Sequence, residues 1–436
     1  MTATQTLMAR AALGVITASA GFIAVSVERF RTGSARSFNK FANTAFLISR
    51  FSLYALLFFV LHIAPRGDIP AYYFPQATSV LHGALPYRDF ASSYAPLHPY
   101  LDGAAILLWH SPLAIILLAI LFEAVLLPVW LKLGRDLFSE QRVRTATILY
   151  IASPISLQFV AVDGQDNVIV ALLLALGILC LVRHRAVLSG ALVALGAVCI
   201  KFLPLLFVPA FFLAAQRRLR WLLGCLGVLA IGYGSFALLH LPLLSPLTNQ
   251  EDLKTASNLT YLIESVFNLT IPARLGDGFL LLVLLAILAL MARALQQASP
   301  AARLRVLTFA TAAFTLALLV FSKKSWPPYL MFALFPICLV LDEEAHRRLR
   351  MAAFALFSMV AVVVQSFWAT VFDLPLAPAF HQILLSQRPA ALFFLALQIL
   401  IVAGYLWLFI ESLQQIVKLG RSSIIDAAPA RPSFTS

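Results

Sequence analysis

The chain alternates long apolar runs with short polar breaks, and the runs carry the first structural information. Apolar stretches near 41–64, 104–131, 145–162, 167–182, 221–244, 278–295, 350–371 and 390–412 have lengths close to the roughly 17–25 residues that take an α-helix across a membrane. Backbone groups in lipid are satisfied only in helices or closed barrels, and the period-2 alternation of a barrel strand is missing, so the runs read as helices. Two further runs are broken. Between Arg185 and Arg217 the apolar pattern is interrupted around Cys199 to Pro204 (CIKFLP). Each half is about 15 residues, or about 22 Å at 1.5 Å per residue, against a hydrocarbon core of about 30 Å. That predicts a short hairpin with Lys201 at its tip. Residues 305–341 look like a second such pair, broken at Lys323 to Tyr329 (KKSWPPY). The fold class expected is an all-α polytopic membrane protein of about 12 (11–13) helices, some short or re-entrant.

Composition agrees: 61% of residues are hydrophobic and 12% charged, about half the charged share of a soluble domain. The net charge of +13 does not mark a nucleic-acid partner, because Lys and Arg sit in short clusters between apolar runs. Clusters within 29–40, 132–144, 183–185, 217–220, 293–305, 347–350 and 418–431 fall on one side of the expected topology. The other side has only Arg66, Arg88, Lys254, Arg274, Lys323, Lys324 and Arg388. The positive-inside rule makes the first side cytoplasmic. An integral protein of a bacterial inner membrane is the expected location, given the Ala/Leu-rich composition, and the sequons at Asn258 and Asn268 are then incidental. Residues 11–27 read as a weakly apolar extra span or a surface helix; Glu28 and Arg29 stand where a signal peptide would need a cleavage site. Residues 416–436 read as a cytoplasmic tail, disordered from 421. The four cysteines lie inside apolar runs without metal or redox spacing.

One outward loop is too long for a simple connection: from Gly67 it reads GDIPAYYFPQATSVLHGALPYRDFASSYAPLHPY. The outward segments offer carboxylates (Asp68, Asp89, Asp102, Asp163, Asp166), amides (Gln165, Asn167) and aromatic rings, among them Tyr72, Tyr87, Tyr94, Trp326 and Tyr329. Carboxylates and amides bond hydroxyls and aromatic faces stack on sugar rings, so a carbohydrate fits better than an apolar ligand. Lys201, Lys323, Lys324 and Arg66 can meet a phosphate and stabilise charge on a leaving group. Lysines near helix ends also snorkel without any ligand. HExxH, GxSxG and P-loop patterns are missing, which leaves zinc, serine and nucleotide hydrolysis unsupported. Asp68 follows the span ending near Ala64 and so lies at the membrane surface.

In this order, Asp68-to-Tyr72 (DIPAY), Gly83-to-Phe90 (GALPYRDF), Tyr94-to-Pro96 (YAP), Gly164-to-Asn167 (GQDN) and Lys201-to-Pro204 (KFLP) resemble the GT-C polyprenyl-phosphate-sugar-dependent glycosyltransferases. The set is most similar to the glycosyltransferase 87 or DUF2029 mannosyltransferase group. Ala95 and Phe202 depart from the prolines usual at those places. The resemblance implies one GT-C-like domain over 1–415, with 65–103 as its catalytic outer loop. It implies Asp68 as general base in an inverting transfer of a monosaccharide, mannose first, from a polyprenyl phosphate to a lipid or glycan acceptor outside the cytoplasm. Lys201, with Lys323 or Lys324 and with Arg66 in reserve, would hold the phosphate. Tyr72 and Tyr87 would contact substrate; Arg88 and Asp89 would hold sugar hydroxyls or pin the loop as a local ion pair; Gln165 and Asn167 would shape the cavity floor. No metal or other cofactor is implied, and the partners are the two substrates and membrane lipids. The rival reading is a secondary transporter or lipid flippase, which would place ionisable residues inside several spans. Arg50, Glu123 and Lys201 are nearly all there are.

Overall fold

The computed structural model describes residues 3–27, 34–248, 253–296, 298–342, 346–371 and 389–427. Every element among them is helical, apart from one isolated bridge between Pro86 and Phe90. Seven helices are long and apolar enough to cross a membrane, or eight if a pair bent by 43° at Ala152 and Ser153 counts as one span. In chain order the elements are α1 (Ala3–Ser26), α2 (Ala35–Val60), α3 (Phe74–Leu81), α4 (His98–Leu108), α5 (Pro112–Leu137), α6 (Glu140–Ile151) and α7 (Pro154–Val162). Then follow α8 (Asn167–Val182), α9 (Ala186–Cys199), α10 (Leu203–Ala214), α11 (Arg218–Leu238), α12 (Leu259–Phe267) and α13 (Ala273–Leu295). The last four are α14 (Pro300–Phe321), α15 (Pro327–Val340), α16 (Arg347–Val371) and α17 (Pro389–Ala427). The chain is a polytopic helical membrane protein.

Several boundaries differ from those the apolar pattern suggests, each for a local reason. The run 104–131 is two helices, because Ser111 caps a new helix through Leu113 N–H and Pro112 occupies its first position. Residues 3–26 form one helix of spanning length that packs against α16, with Gly14 set on Met359 and Val362. The two broken runs are not matched: α9 and α10 are short, but α14 is a full 22 residues. Helix α17 continues through residues 416–427, so the expected tail begins later; residues 372–388, expected from sequence to face outward, and residues 428–436 lie outside the described residues.

Close backbone approach fixes the short hairpin. A Cβ on Gly190 would stand 2.0 Å from the Trp221 carbonyl oxygen, and one on Gly224 would stand 2.0 Å from that of Val187. Small residues at such crossings let helices pack where lipid removes the hydrophobic drive between them. Trp221 Nε1 donates to Ser189 Oγ (3.1 Å) and Tyr233 OH to the Ala197 carbonyl (2.6 Å). These bonds lock α11 along α9.

A second lock lies deep in the bundle. Arg50 and Glu123, both fully buried, approach to 3.5 Å (Nε to Oε2). Arg50 also donates to the Ile151 carbonyl (2.6 Å) and to Ser156 Oγ (2.5 Å). Glu123 accepts from Tyr150 OH (2.8 Å) and from Ser156. The Ile151 carbonyl belongs to the break between α6 and α7, where the helical ladder leaves it without its usual partner. Two of the few charges within the spans thus satisfy each other and a broken helix, rather than lining a path.

Side-chain ties group the helix ends into two sets. At one end Arg142 reaches the Leu339 carbonyl (2.7 Å) and Gln415 (3.0 Å), Arg303 bonds the carbonyls of Leu213 (2.9 Å) and Leu295 (3.0 Å), and Arg350 pairs with Glu411 (2.7 Å). At the other end lie the turns after α2, α7, α9 and α14. Among the described residues, Arg142, Arg303 and Arg350 of three basic clusters are thus tied to helix ends on one side of the bundle.

Candidate active site

The long loop after α2 is a compact layer. Glycine at 67 (φ +67°) turns the chain out of α2, and a π-turn over Ile69–Tyr73 leads into α3, which packs on α4. Gln76 holds the far strand of the loop, donating to the Ala91 carbonyl (3.3 Å) and accepting from Ser92 Oγ (3.1 Å). The layer is strapped to the hairpin tip through backbone: Ala95 N–H donates to the Ile200 carbonyl and Leu97 N–H to that of Val198, both at 3.1 Å. These are carbonyls at the end of α9 that the helix leaves open.

The turn between α7 and α8 enters the same place. Gly164 has φ +61°, and a Cβ there would meet Ile116 at 2.8 Å and Ile69 at 2.9 Å. Both conformation and space demand glycine. A Gly164→Ala variant will therefore push the adjoining turn off Ile69 and lower any activity of the site well before it unfolds the bundle. Comparing initial rates with thermal unfolding of the same preparation checks this, and unchanged rates would rule the turn out as a determinant.

On this frame the polar side chains converge. Gln165 Nε2 donates to Asp68 Oδ2 at 3.0 Å. Lys201 Nζ donates to Asp166 Oδ1 at 2.8 Å and to Asn167 Oδ1 at 3.2 Å, with the rings of Tyr94 and Tyr329 at 5.4 and 5.7 Å from its ammonium. His98 Nε2 stands 3.0 Å from Asp166 Oδ2 and 3.6 Å from Asp102 Oδ2. The imidazole stacks on Tyr94 and meets Tyr73 edge-on. Asp68 acts electrostatically on Lys201, Tyr94 and Tyr329. Burial opposes ionisation of Asp166, but Lys201 and His98 outweigh it and hold the carboxyl down at about 2. Burial pushes Asp102 up to about 6, against the pull of His98.

Of the residues named from sequence, Asp68, Gln165, Asn167 and Lys201 come together. The others are placed differently. Arg88 forms a two-pronged ion pair with Asp89 (2.9 and 2.8 Å), and Asp89 also accepts from Leu85 N–H (2.7 Å). These bonds hold the exposed Asp89 carboxyl at about 2, and the pair clasps a loop turn. Tyr87, itself at φ +69°, donates to the Tyr94 carbonyl (2.5 Å), and so supports the ring beneath Lys201. Tyr72 is half exposed. Arg66 bonds Thr6 of α1, next to the Arg10–Asp163 ion pair (2.7 Å). Lys323 pairs with Asp277 at 2.6 Å. Burial and the neighbouring Lys323 push Lys324 down to about 8. The second lysine tip thus divides: its Tyr329 reaches the cluster while Lys323 turns to the head of α13.

Sequence reasoning missed the centre of the cluster. Asp166 stands between the two amides Gln165 and Asn167 as one outward carboxylate among several, and His98, between Leu97 and Pro99, has no motif to mark it. A cavity of about 660 Å³ lined by Arg217, Arg218, Arg220 and Arg303 lies at the far end of α10 from Lys201. It is an open basic hollow and holds none of these side chains.

Bundle and cluster define a polytopic membrane protein with a carboxylate, amide and lysine centre under an aromatic layer at one helix end. The model of glycosyltransferase family 87 matches residues 90–323, more than half of the chain. The chain belongs to that family and is a membrane glycosyltransferase. No match to a curated protein was found. The matched region contains Gln165, Asp166, Asn167 and Lys201; Asp68 precedes it.

Proposed function

We propose that the protein transfers a monosaccharide, mannose first, from a polyprenyl phosphate to a lipid or glycan acceptor on the extracytoplasmic side, without a metal. The observation that carries this is the pairing, within one cluster, of a half-buried carboxylate, Asp68, and a cation, Lys201, bridged by the Gln165–Asn167 turn. Asp68 takes the proton of the acceptor hydroxyl as its oxygen bonds the anomeric carbon. The bond from that carbon to the phosphate oxygen breaks on the opposite face, and polyprenyl phosphate leaves with the electron pair. Lys201 stabilises the charge that appears on the phosphate. The placing of Arg142, Arg303 and Arg350 at helix ends opposite the site supports an outward-facing site in a bacterial inner membrane.

The full-length protein in lipid nanodiscs, given labelled polyprenyl-phosphate-mannose and fractionated membrane acceptors, tests the reading. Labelled product is expected on an acceptor. Donor binding with no transfer to any acceptor would favour a flippase instead.

A further inference from the structure

The buried cluster beside Asp68 contains a residue that the transfer scheme does not use. His98, Asp102 and Asp166 are all at most 4% exposed, and both imidazole nitrogens, Asp102 Oδ2, Asp166 Oδ2 and Tyr73 OH have no well-aligned hydrogen-bond partner. Polar atoms left this way in a low-dielectric interior are costly unless charge compensates them. Two buried carboxylates, Asp102 and Asp166, face one ammonium, that of Lys201, so this buried part of the cluster lacks one positive charge; Asp68 is only half-buried. His98 Nε2 lies between the two carboxylate oxygens, at 3.0 and 3.6 Å.

We propose that His98 is a positioning residue: as an imidazolium between Asp102 and Asp166 it completes the charge balance, which leaves the Lys201 ammonium available to an anionic phosphate donor. With a neutral imidazole, Asp166 would depend on Lys201 alone, at 2.8 Å, and the lysine would be held as a structural counter-ion. With the imidazolium present, Asp166 keeps one cation when Lys201 turns to a phosphate. The proposal rests on the transferase reading for its ligand, but the charge balance itself does not.

Every group that faces His98 acts on this equilibrium: Asp102 on its own helix, Asp166 from the α7–α8 turn, Lys201 from the hairpin tip, and the phenols of Tyr73 and Tyr94 from the loop layer. Burial disfavours the charged ring, but Asp102 and Asp166 outweigh both burial and Lys201, and the His98 pKa is raised. A raised histidine contributes stability that is complete at low pH and is lost as pH rises through the folded-state value. Asp102, also raised, acts in the same direction.

The test compares wild type, His98→Asn and the double variant His98→Asn/Asp166→Asn, all full length in nanodiscs. Two quantities are measured across pH 5–9: thermal stability, and KM and kcat for polyprenyl-phosphate-mannose. Wild type is expected to lose stability as pH rises, and His98→Asn to lose the part of that dependence that His98 supplies, keeping the part from Asp102. His98→Asn should raise the donor KM about tenfold or more, the scale of one charge-assisted hydrogen bond, with a smaller effect on kcat. Removing Asp166 as well leaves one buried carboxylate for one ammonium and releases Lys201 from its counter-ion at 2.8 Å, so most of the KM should be recovered. A folded His98→Asn protein with wild-type KM and pH profile overturns the proposal, as does a double variant no better than the single one. If His98→Asn does not fold but the double variant does, the charge balance is upheld. A wild type that shows the stability pattern and transfers no sugar overturns the transferase reading and leaves the charge balance standing.

Discussion

Asp68→Asn will lower the rate of sugar transfer by about 100- to 10,000-fold, the range that a positioned general base contributes. The substitution is nearly isosteric, and the asparagine oxygen can still accept the Gln165 amide that Asp68 now accepts at 3.0 Å. Folding and donor binding should therefore be unchanged, and the loss should fall on kcat. Initial rates with labelled donor, alongside donor binding to the same preparation, separate the two. A variant that transfers within a few-fold of wild type would remove Asp68 from the proton step. Gln165→Ala provides a scale for comparison: it frees the carboxylate without removing it, so its loss should be smaller.

The second large effect is on stability. Truncating Arg50 to alanine will leave the Glu123 carboxylate buried and unpaired, and will strip partners from Ser156 and the Ile151 carbonyl. Breaking a buried pair in this way costs about 3–5 kcal/mol, a large fraction of the roughly 5–15 kcal/mol that holds a typical protein folded. Low yield in membranes and a steep fall in thermal stability in detergent are expected. The double variant Arg50→Met/Glu123→Leu, which replaces both charges with apolar bulk, should recover much of that loss. Rescue shows that the pair is a packing device. Transfer lost in a double variant of wild-type stability would instead tie these charges to function.

These two results divide between them what could be read from sequence and what could not. Asp68 and Lys201 were legible because they stand at ends of apolar runs in an ordered set of polar motifs. The all-helical, polytopic character was legible from run length; the expected count of about 12 was not met as full spans, since seven or eight described helices are long and apolar enough to cross and others are short. The meaning of Arg50 and Glu123 was not, since their 73-residue separation hides a contact that exists only once α2 lies beside α5. His98 was hidden in the same way: Asp102 is one turn away, but Asp166 and Lys201 come from other elements. The lysine pair at 323 and 324 misled because a tip seen in sequence says nothing about its neighbours, and Asp277 at the head of α13 claims Lys323. The break at Trp109 to Ser111 was missed because apolar residues flank it on both sides, and the capping serine and Pro112 were outweighed by hydropathy.

The ion pair between Arg10 and Asp163 joins residues 153 positions apart, and Gly14 rests on Met359 and Val362 of α16. Helix α1 can thus meet the Asp163 turn as soon as α7 is in place, but meets its partner α16 only much later. During biogenesis the packing of α1 is completed only when α16 has been inserted and its Met359 and Val362 reach Gly14. Such long-range closure is slow and exposes intermediates to misassembly. Assembly of the first helix with the rest of the bundle, rather than insertion of any one span, is then the step at which production of this enzyme would be limited.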